Sequence, residues 1–252
     1  MSPFAIPLAL LLAAAAASSD TPPPPAYFFA EPSLDLAAIS PSGAHVAAVG
    51  HDGRDRLLLV FDAQMQSRVA ARFGSQRVLS IHWATAERLL VVHAGAGEAP
   101  GLTAVHRDGS MHRRLIAPVS DGGRRQGVRV IDTLPRLPSE VLISVDEGTP
   151  FAPDLVRLGV IAATAEVVER NPGRILQWLP DARGTAGAAL GWDVRDGQLR
   201  YQLLTRSEGE RAWHGAYDFR LGEAELAPIG YIGDALLVQL REGDGPTTVR
   251  GF

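Results

Sequence analysis

From Ala26 onward, short apolar runs alternate with clusters of Gly, Asp, Pro and Ser, and few stretches carry a helical period. Apolar runs too short for a helix and bounded by turn formers read as strands, so the pattern predicts an all-β protein. The clearest strands are expected at Val46–Val49, Leu57–Phe61, Val78–Trp83, Leu89–His93, Leu102–His106, Val141–Val145, Leu155–Leu158, Leu199–Thr205, Trp213–Phe219 and Ala235–Leu240. Between them, Asp52-Gly53, Asp108-Gly109, Asp196-Gly197 and Gly243-Asp244-Gly245 supply the left-handed backbone angles that tight hairpins need.

A coarser period lies over these strands. Turn tetrads recur at Ser40-Pro41-Ser42-Gly43, Trp83-Ala84-Thr85-Ala86, Leu137-Pro138-Ser139-Glu140, Leu179-Pro180-Asp181-Ala182 and, more weakly, Tyr231-Ile232-Gly233-Asp234. Their spacing of roughly 40 to 55 residues is close to one four-stranded propeller blade. The expected fold is therefore β-propeller-like blades of four antiparallel strands, about four to five of them, forming an incomplete propeller over residues 26–252. A β-sandwich with turns at similar intervals is the alternative, because strand counts alone do not separate the two.

The N-terminus has a different character. Phe4–Ala17 is an apolar run too short to span a bilayer comfortably, and small residues Ser18 and Ser19 follow it. This predicts a signal peptide over residues 1–19, cut after Ala17 or Ser19, and a Pro-rich linker over 20–25. No Arg or Lys precedes the run, which keeps an uncleaved anchor as the alternative. A periplasmic or secreted protein without a stable membrane span is expected. The chain has no Cys, which excludes disulfides, thiolate catalysis and Cys-bound metal. Its formal net charge of -4 gives no footprint for nucleic acid. All the basic residues are Arg.

Candidate chemistry is sparse. The seven histidines, His45, His51, His82, His93, His106, His112 and His214, include no pair with the spacing and carboxylate context of a zinc site, although His106 and His112 straddle one hairpin. Ala94-Gly95-Ala96-Gly97 lacks the Lys and helix start of a phosphate loop. No serine stands in a Gly-x-Ser-x-Gly frame, so no nucleophile elbow and no enzyme activity are expected. No catalytic, cofactor or metal residue is assigned. What remains is a set of ligand or peptide contacts: the doublets Arg113-Arg114 and Arg124-Arg125, able to grip a carboxylate or phosphate bidentately if they face a central channel, and the acidic pair Asp146-Glu147, able to take a peptide amine.

Several blocks resemble a known family. Tyr27-Phe28-Phe29 ahead of Ile39-Ser40-Pro41-Ser42-Gly43-Ala44-His45-Val46-Ala47, then Ile81-His82-Trp83 with Glu87-Arg88-Leu89, Leu102-Thr103-Ala104-Val105 with Asp108-Gly109, Pro153–Leu158 and Arg170-Asn171-Pro172-Gly173 are similar to the N-terminal propeller of the prolyl-oligopeptidase family of serine peptidases. Ser42 stands where that family usually has Asp. The resemblance implies a non-catalytic, substrate-gating propeller, truncated before the α/β-hydrolase domain that carries the family's catalytic residues. A standalone periplasmic propeller that binds a protein or peptide is the alternative. Partners expected on this reading are a peptide or a hydrolase domain, with self-association through an open blade edge.

Overall fold

The computed structural model describes residues 34–120, 127–146, 149–181, 183–207 and 209–252. The signal peptide, the linker, Tyr27-Phe28-Phe29, Arg124, Arg125 and Glu147 lie outside the described residues. Every regular element is a strand, and no described helix is long and apolar enough to cross a membrane. The first blade is the meander β1 (Leu34–Ile39), β2 (Val46–Asp52), β3 (Asp55–Phe61) and β4 (Ser67–Arg72). Next come β5 (Arg77–Trp83), β6 (Arg88–Ala94), β7 (Glu98–Ala99), β8 (Gly101–His106), β9 (His112–Ile116) and β10 (Val119–Ser120); β5-β6-β8-β9 form the second blade and β7 pairs with β10 as a short ribbon. The third blade is β11 (Val128–Asp132), β12 (Glu140–Val145), β13 (Asp154–Gly159) and β14 (Ala165–Glu169). The fourth is β15 (Ile175–Pro180), β16 (Ala186–Arg195), β17 (Gln198–Thr205) and β18 (His214–Phe219). A fifth sheet has three strands, β19 (Ala224–Ile232), β20 (Ala235–Glu242) and β21 (Thr248–Gly251).

Each of the five turn tetrads marks the junction of the first and second strands of its sheet, some of its residues belonging to the strand ends and Ala182 lying outside the described residues. Ladder irregularities repeat with the same order. In each four-stranded blade the register shifts between strands one and two and again between strands three and four, while the central pair is regular. In the fifth sheet β19–β20 carries the shift and β20–β21 is regular, so β21 stands in the position of a third strand.

The core follows from the pleat. Successive side chains on a strand face opposite sides, and a blade sandwiched between two others must be apolar on both. On β6, Leu89 and Val91 pack toward the first blade with Leu58, Val60 and Phe73, whereas Leu90 and Val92 pack toward the third with Val141 and Ile143. Leu142 and Leu155 then join Ile175 and Trp178 of the fourth blade. Leu179, Ala188 and Leu203 close on Leu236 and Val238 of the fifth sheet. The result is a series of apolar layers between consecutive blades, and among the described residues none joins the fifth sheet to the first. The architecture is an incomplete propeller, as the turn period predicts.

On β20, Leu236, Val238 and Leu240 are buried against the fourth blade, while Ala235, Leu237 and Gln239 alternate to the other face, Leu237 half-buried and the other two exposed.

Candidate functional site

The doublet Arg113-Arg114 does not act as a pair. Both lie on β9, where adjacent residues face opposite sides, so strand alternation sends them to different neighbours. Arg113 reaches the third blade and donates to the carbonyls of Ile161 (2.5 Å) and Ala162 (3.1 Å) in the turn after β13. Its work is to tie two blades together. Arg114 instead lines a cleft between the first and second blades and makes no ion pair among the described residues.

That cleft, about 580 Å³, forms at the polar end of the first interblade layer. Phe73 is its apolar floor, ring centroid 5.0 Å from His93 and 6.1 Å from His112, and Arg72, Glu98, Thr103 and Arg114 also line it. His93 follows the buried run Leu89-Leu90-Val91-Val92 on β6 and is 5% exposed. Its Nε2 lies 2.7 Å from the Thr103 hydroxyl, itself buried, while Nδ1 is buried with no hydrogen-bond partner. Burial, and then the positive charges of Arg114 and His112, push the His93 pKa down, with Glu98 opposing them. Arg72 leans on Asp55 (3.4 Å) and Asp52 (3.7 Å), and the Glu98 carboxylate accepts the Gly95 N–H at 2.9 Å. Among the described residues Arg114 has no acceptor, and His93 Nδ1 has no partner.

A second cleft, about 550 Å³, lies between the fourth and fifth sheets, and its charges are matched. Arg206 grips Glu169 through both terminal nitrogens (3.2 and 2.9 Å) and covers the Trp213 ring at 4.4 Å. His214 sits 3.4 Å from Glu210, and Arg183 3.4 Å from Asp234. Burial, with the nearby Asp181 carboxylate adding to it, pushes the Tyr231 hydroxyl up to about 12, and it donates to the Leu179 carbonyl at 3.1 Å. The Arg183–Asp234 pair and the Tyr231 hydroxyl tie the fourth and fifth sheets, and Arg206 ties the fourth to Glu169 of the third.

Asp146 is buried at the end of β12, and its Oδ2 accepts the Phe151 N–H at 3.2 Å, bracing a turn in which Phe151 has φ of 60°. No described group of His, Asp and Glu is arranged to hold a metal ion. Sequence reasoning pointed to Arg114 but gave no role to His93, Thr103 or Phe73. The usable signal was a histidine closing the run Leu89-Leu90-Val91-Val92, where an apolar residue would be the ordinary choice.

No protein-family model matches the chain, and no curated protein does. Among solved structures, a prolyl endopeptidase superposes with a TM-score of 0.59 at 12% identity, over 86% of this chain and 34% of that one. An acylaminoacyl peptidase in complex with Z-Gly-Gly-Phe-chloromethyl ketone gives 0.50 at 13% identity, over 88% and 38%. TolB from Acinetobacter baumannii gives 0.50 at 11% identity, over 86% and 54%. The chain thus spans little more than a third of each peptidase and about half of TolB. At these identities the likeness is one of fold: the chain is similar to the β-propeller domains of prolyl oligopeptidase and acylaminoacyl peptidase relatives.

Proposed function

We propose that this chain is a non-catalytic propeller segment that restricts access to the active site of a prolyl-oligopeptidase-like serine peptidase. The observation that carries this reading is the series of four-stranded blades whose fold matches a prolyl endopeptidase over 86% of the chain but only 34% of that enzyme. Two features support it further. No serine stands in the Gly-x-Ser-x-Gly frame that a hydrolase elbow requires. The charged groups of the larger structural contacts, such as Arg113 on the third blade and Arg206 on Glu169, are committed to holding blades rather than to chemistry.

The test begins with the coding sequence beyond the codon for Phe252. A Gly-x-Ser-x-Gly motif and a later His are expected there, in some frame, and their absence overturns the reading. The longer product should then cleave short peptides and spare folded proteins, and deleting the blades should open it to larger substrates. The 252-residue chain alone should take no fluorophosphonate label. A label lost on a single Ser→Ala change would refute the non-catalytic assignment.

The fold likeness to TolB favours a second reading, a standalone exported propeller that binds a peptide or protein through its loops. Export itself is tested by N-terminal sequencing of protein recovered from the periplasm or medium. Loss of the first 17 or 19 residues is expected, and an intact Met1 would favour an anchor.

A further inference from the structure

We infer that the cleft between the first and second blades binds a small oxyanion, a carboxylate or a phosphate, through Arg114 and His93. The inference is independent of the peptidase reading and concerns a site that reading does not use.

The interblade layer explains why the cleft calls for an anion. A polar group buried in an apolar layer is costly unless it is hydrogen-bonded. His93 is buried in that layer, and one ring nitrogen has the Thr103 hydroxyl while the other has nothing. When the threonine hydroxyl donates to Nε2, the ring proton sits on Nδ1 and that nitrogen is a donor lacking an acceptor. Arg114 brings further donors to the same cleft and forms no ion pair among the described residues, the Glu98 carboxylate that also lines the cleft turning to the Gly95 N–H. Of the other charged groups around His93, Arg72 is drawn to Asp55 and Asp52, Glu98 is held by the Gly95 N–H, and His112 adds donor capacity at the rim.

Each class of occupant can be judged against these groups. A cation would meet Arg114 and Arg72. A neutral apolar group would leave Nδ1 unsatisfied. An oxyanion accepts from Arg114, and from His93 once a small ring movement opens its enclosed Nδ1 to the cleft, in charge-assisted hydrogen bonds, and a planar guanidinium is shaped for the two oxygens of a carboxylate or phosphate. It would also offset the positive surroundings that disfavour a charged His93. The cleft's volume, about 580 Å³, leaves room for a ligand body beside the anionic group, against Phe73.

The experiment uses the whole chain with ¹⁵N-labelled histidine, titrated with sodium phosphate and separately with sodium acetate, ionic strength being held constant with chloride. The His93 ring signals should move and saturate with at least one of the two, and the tighter one identifies the source of the oxyanion. Arg114→Gln should weaken binding about tenfold or more, the loss corresponding to one charge-assisted hydrogen bond. Arg113→Gln, on the opposite side of the strand, should leave affinity unchanged. Arg114→Lys keeps the charge without the planar fork and should fall between; it decides the matter if the Gln variant is unstable. Non-saturating shifts with both anions, or equal effects of the changes at 113 and 114, would overturn the proposal.

Discussion

Asn171 commits both ends of its carboxamide to the backbone between the third and fourth blades. Its Nδ2 donates to the carbonyls of Pro153 (3.1 Å) and Ile175 (2.8 Å), and its Oδ1 accepts from the N–H groups of Gly173 (2.9 Å) and Ile175 (3.1 Å). The Pro153 carbonyl also accepts the indole N–H of the buried Trp178 at 2.7 Å. Two substitutions should therefore differ in size. Trp178→Phe removes one of two donors to that carbonyl and should cost about 1 kcal/mol beyond any packing change, because Asn171 still satisfies the oxygen. Asn171→Ala removes four bonds at once and should cost about 2–4 kcal/mol. Urea titration of Asn171→Ala checks the larger loss; a cost below about 1 kcal/mol would refute this account. His93 gives a prediction of a different kind. Its pKa is lowered in the folded state, by burial first, so from its ordinary value of 6.5 downward the unfolded chain binds the extra proton more readily. Stability should be at its full value above that pH and fall as pH drops through it toward the folded pKa. His82, also lowered by burial, adds a loss of the same sign. His93→Gln should flatten the part of the slope between pH 7 and 5 that belongs to His93; an unchanged slope would mean that the burial penalty is relieved by other means.

At the scale of elements, hairpin turns separate backbone strain from packing. Asp196 and Gly197 both have positive φ, 52° and 74°, as the tight turn between β16 and β17 requires. A methyl group at Gly197 would meet nothing within 4 Å, so Gly197→Ala should cost only the left-handed backbone penalty, about 1–2 kcal/mol. Gly109 is the informative comparison. A methyl there would lie 3.1 Å from the carbonyl of Ala70, the residue that bulges out of the β3–β4 ladder, so Gly109→Ala should cost more and loosen the first two blades. Comparable melting temperatures for the two variants would show that this contact yields freely. These Asp-Gly turns were legible in the sequence because φ chemistry is local. So were the ten apolar strands and the five tetrads, since burial on one or both faces writes itself into the residue pattern. The outer strands β4, β9 and β14 were not, because they are largely exposed and polar and pair with only one neighbour. Nor was β16, whose Ala-Gly-Ala-Ala start packs through small side chains that carry little hydrophobic signal. The candidate site was legible only at Arg114. Its company of His93, Thr103 and Phe73 comes from packing one blade on another, which no local pattern encodes.

For the whole molecule, the consequential feature is the edge that the fifth sheet presents. The outer strands β4, β9, β14 and β18 all meet their neighbours through a bulged ladder, which bends and twists an exposed edge away from regular pairing. β21 lacks this protection: its ladder with β20 is regular, and in the other blades the equivalent strand is covered by a fourth. The register shows which groups face outward. Leu236 and Phe252 exchange both of their backbone hydrogen bonds, at 2.9 Å each. Antiparallel pairs alternate, so Val238–Arg250 and Leu240–Thr248 are also bonded pairs, and the N–H and C=O of Val249 and Gly251 point to the open side. The Val249 side chain, 62% exposed, adds an apolar contact there. The 252-residue chain should therefore associate with itself through β21 in a concentration-dependent way. Val249→Pro removes one outward donor and no bond to β20, so it should leave the melting temperature nearly unchanged while weakening association. Val249→Lys places a charge on the same edge and should act alike. Sedimentation equilibrium on the three proteins is the measurement: a monomeric parent chain at about 100 μM, a concentration where even weak edge pairing registers, or variants that associate as strongly as the parent, would show that β21 is not the surface that pairs.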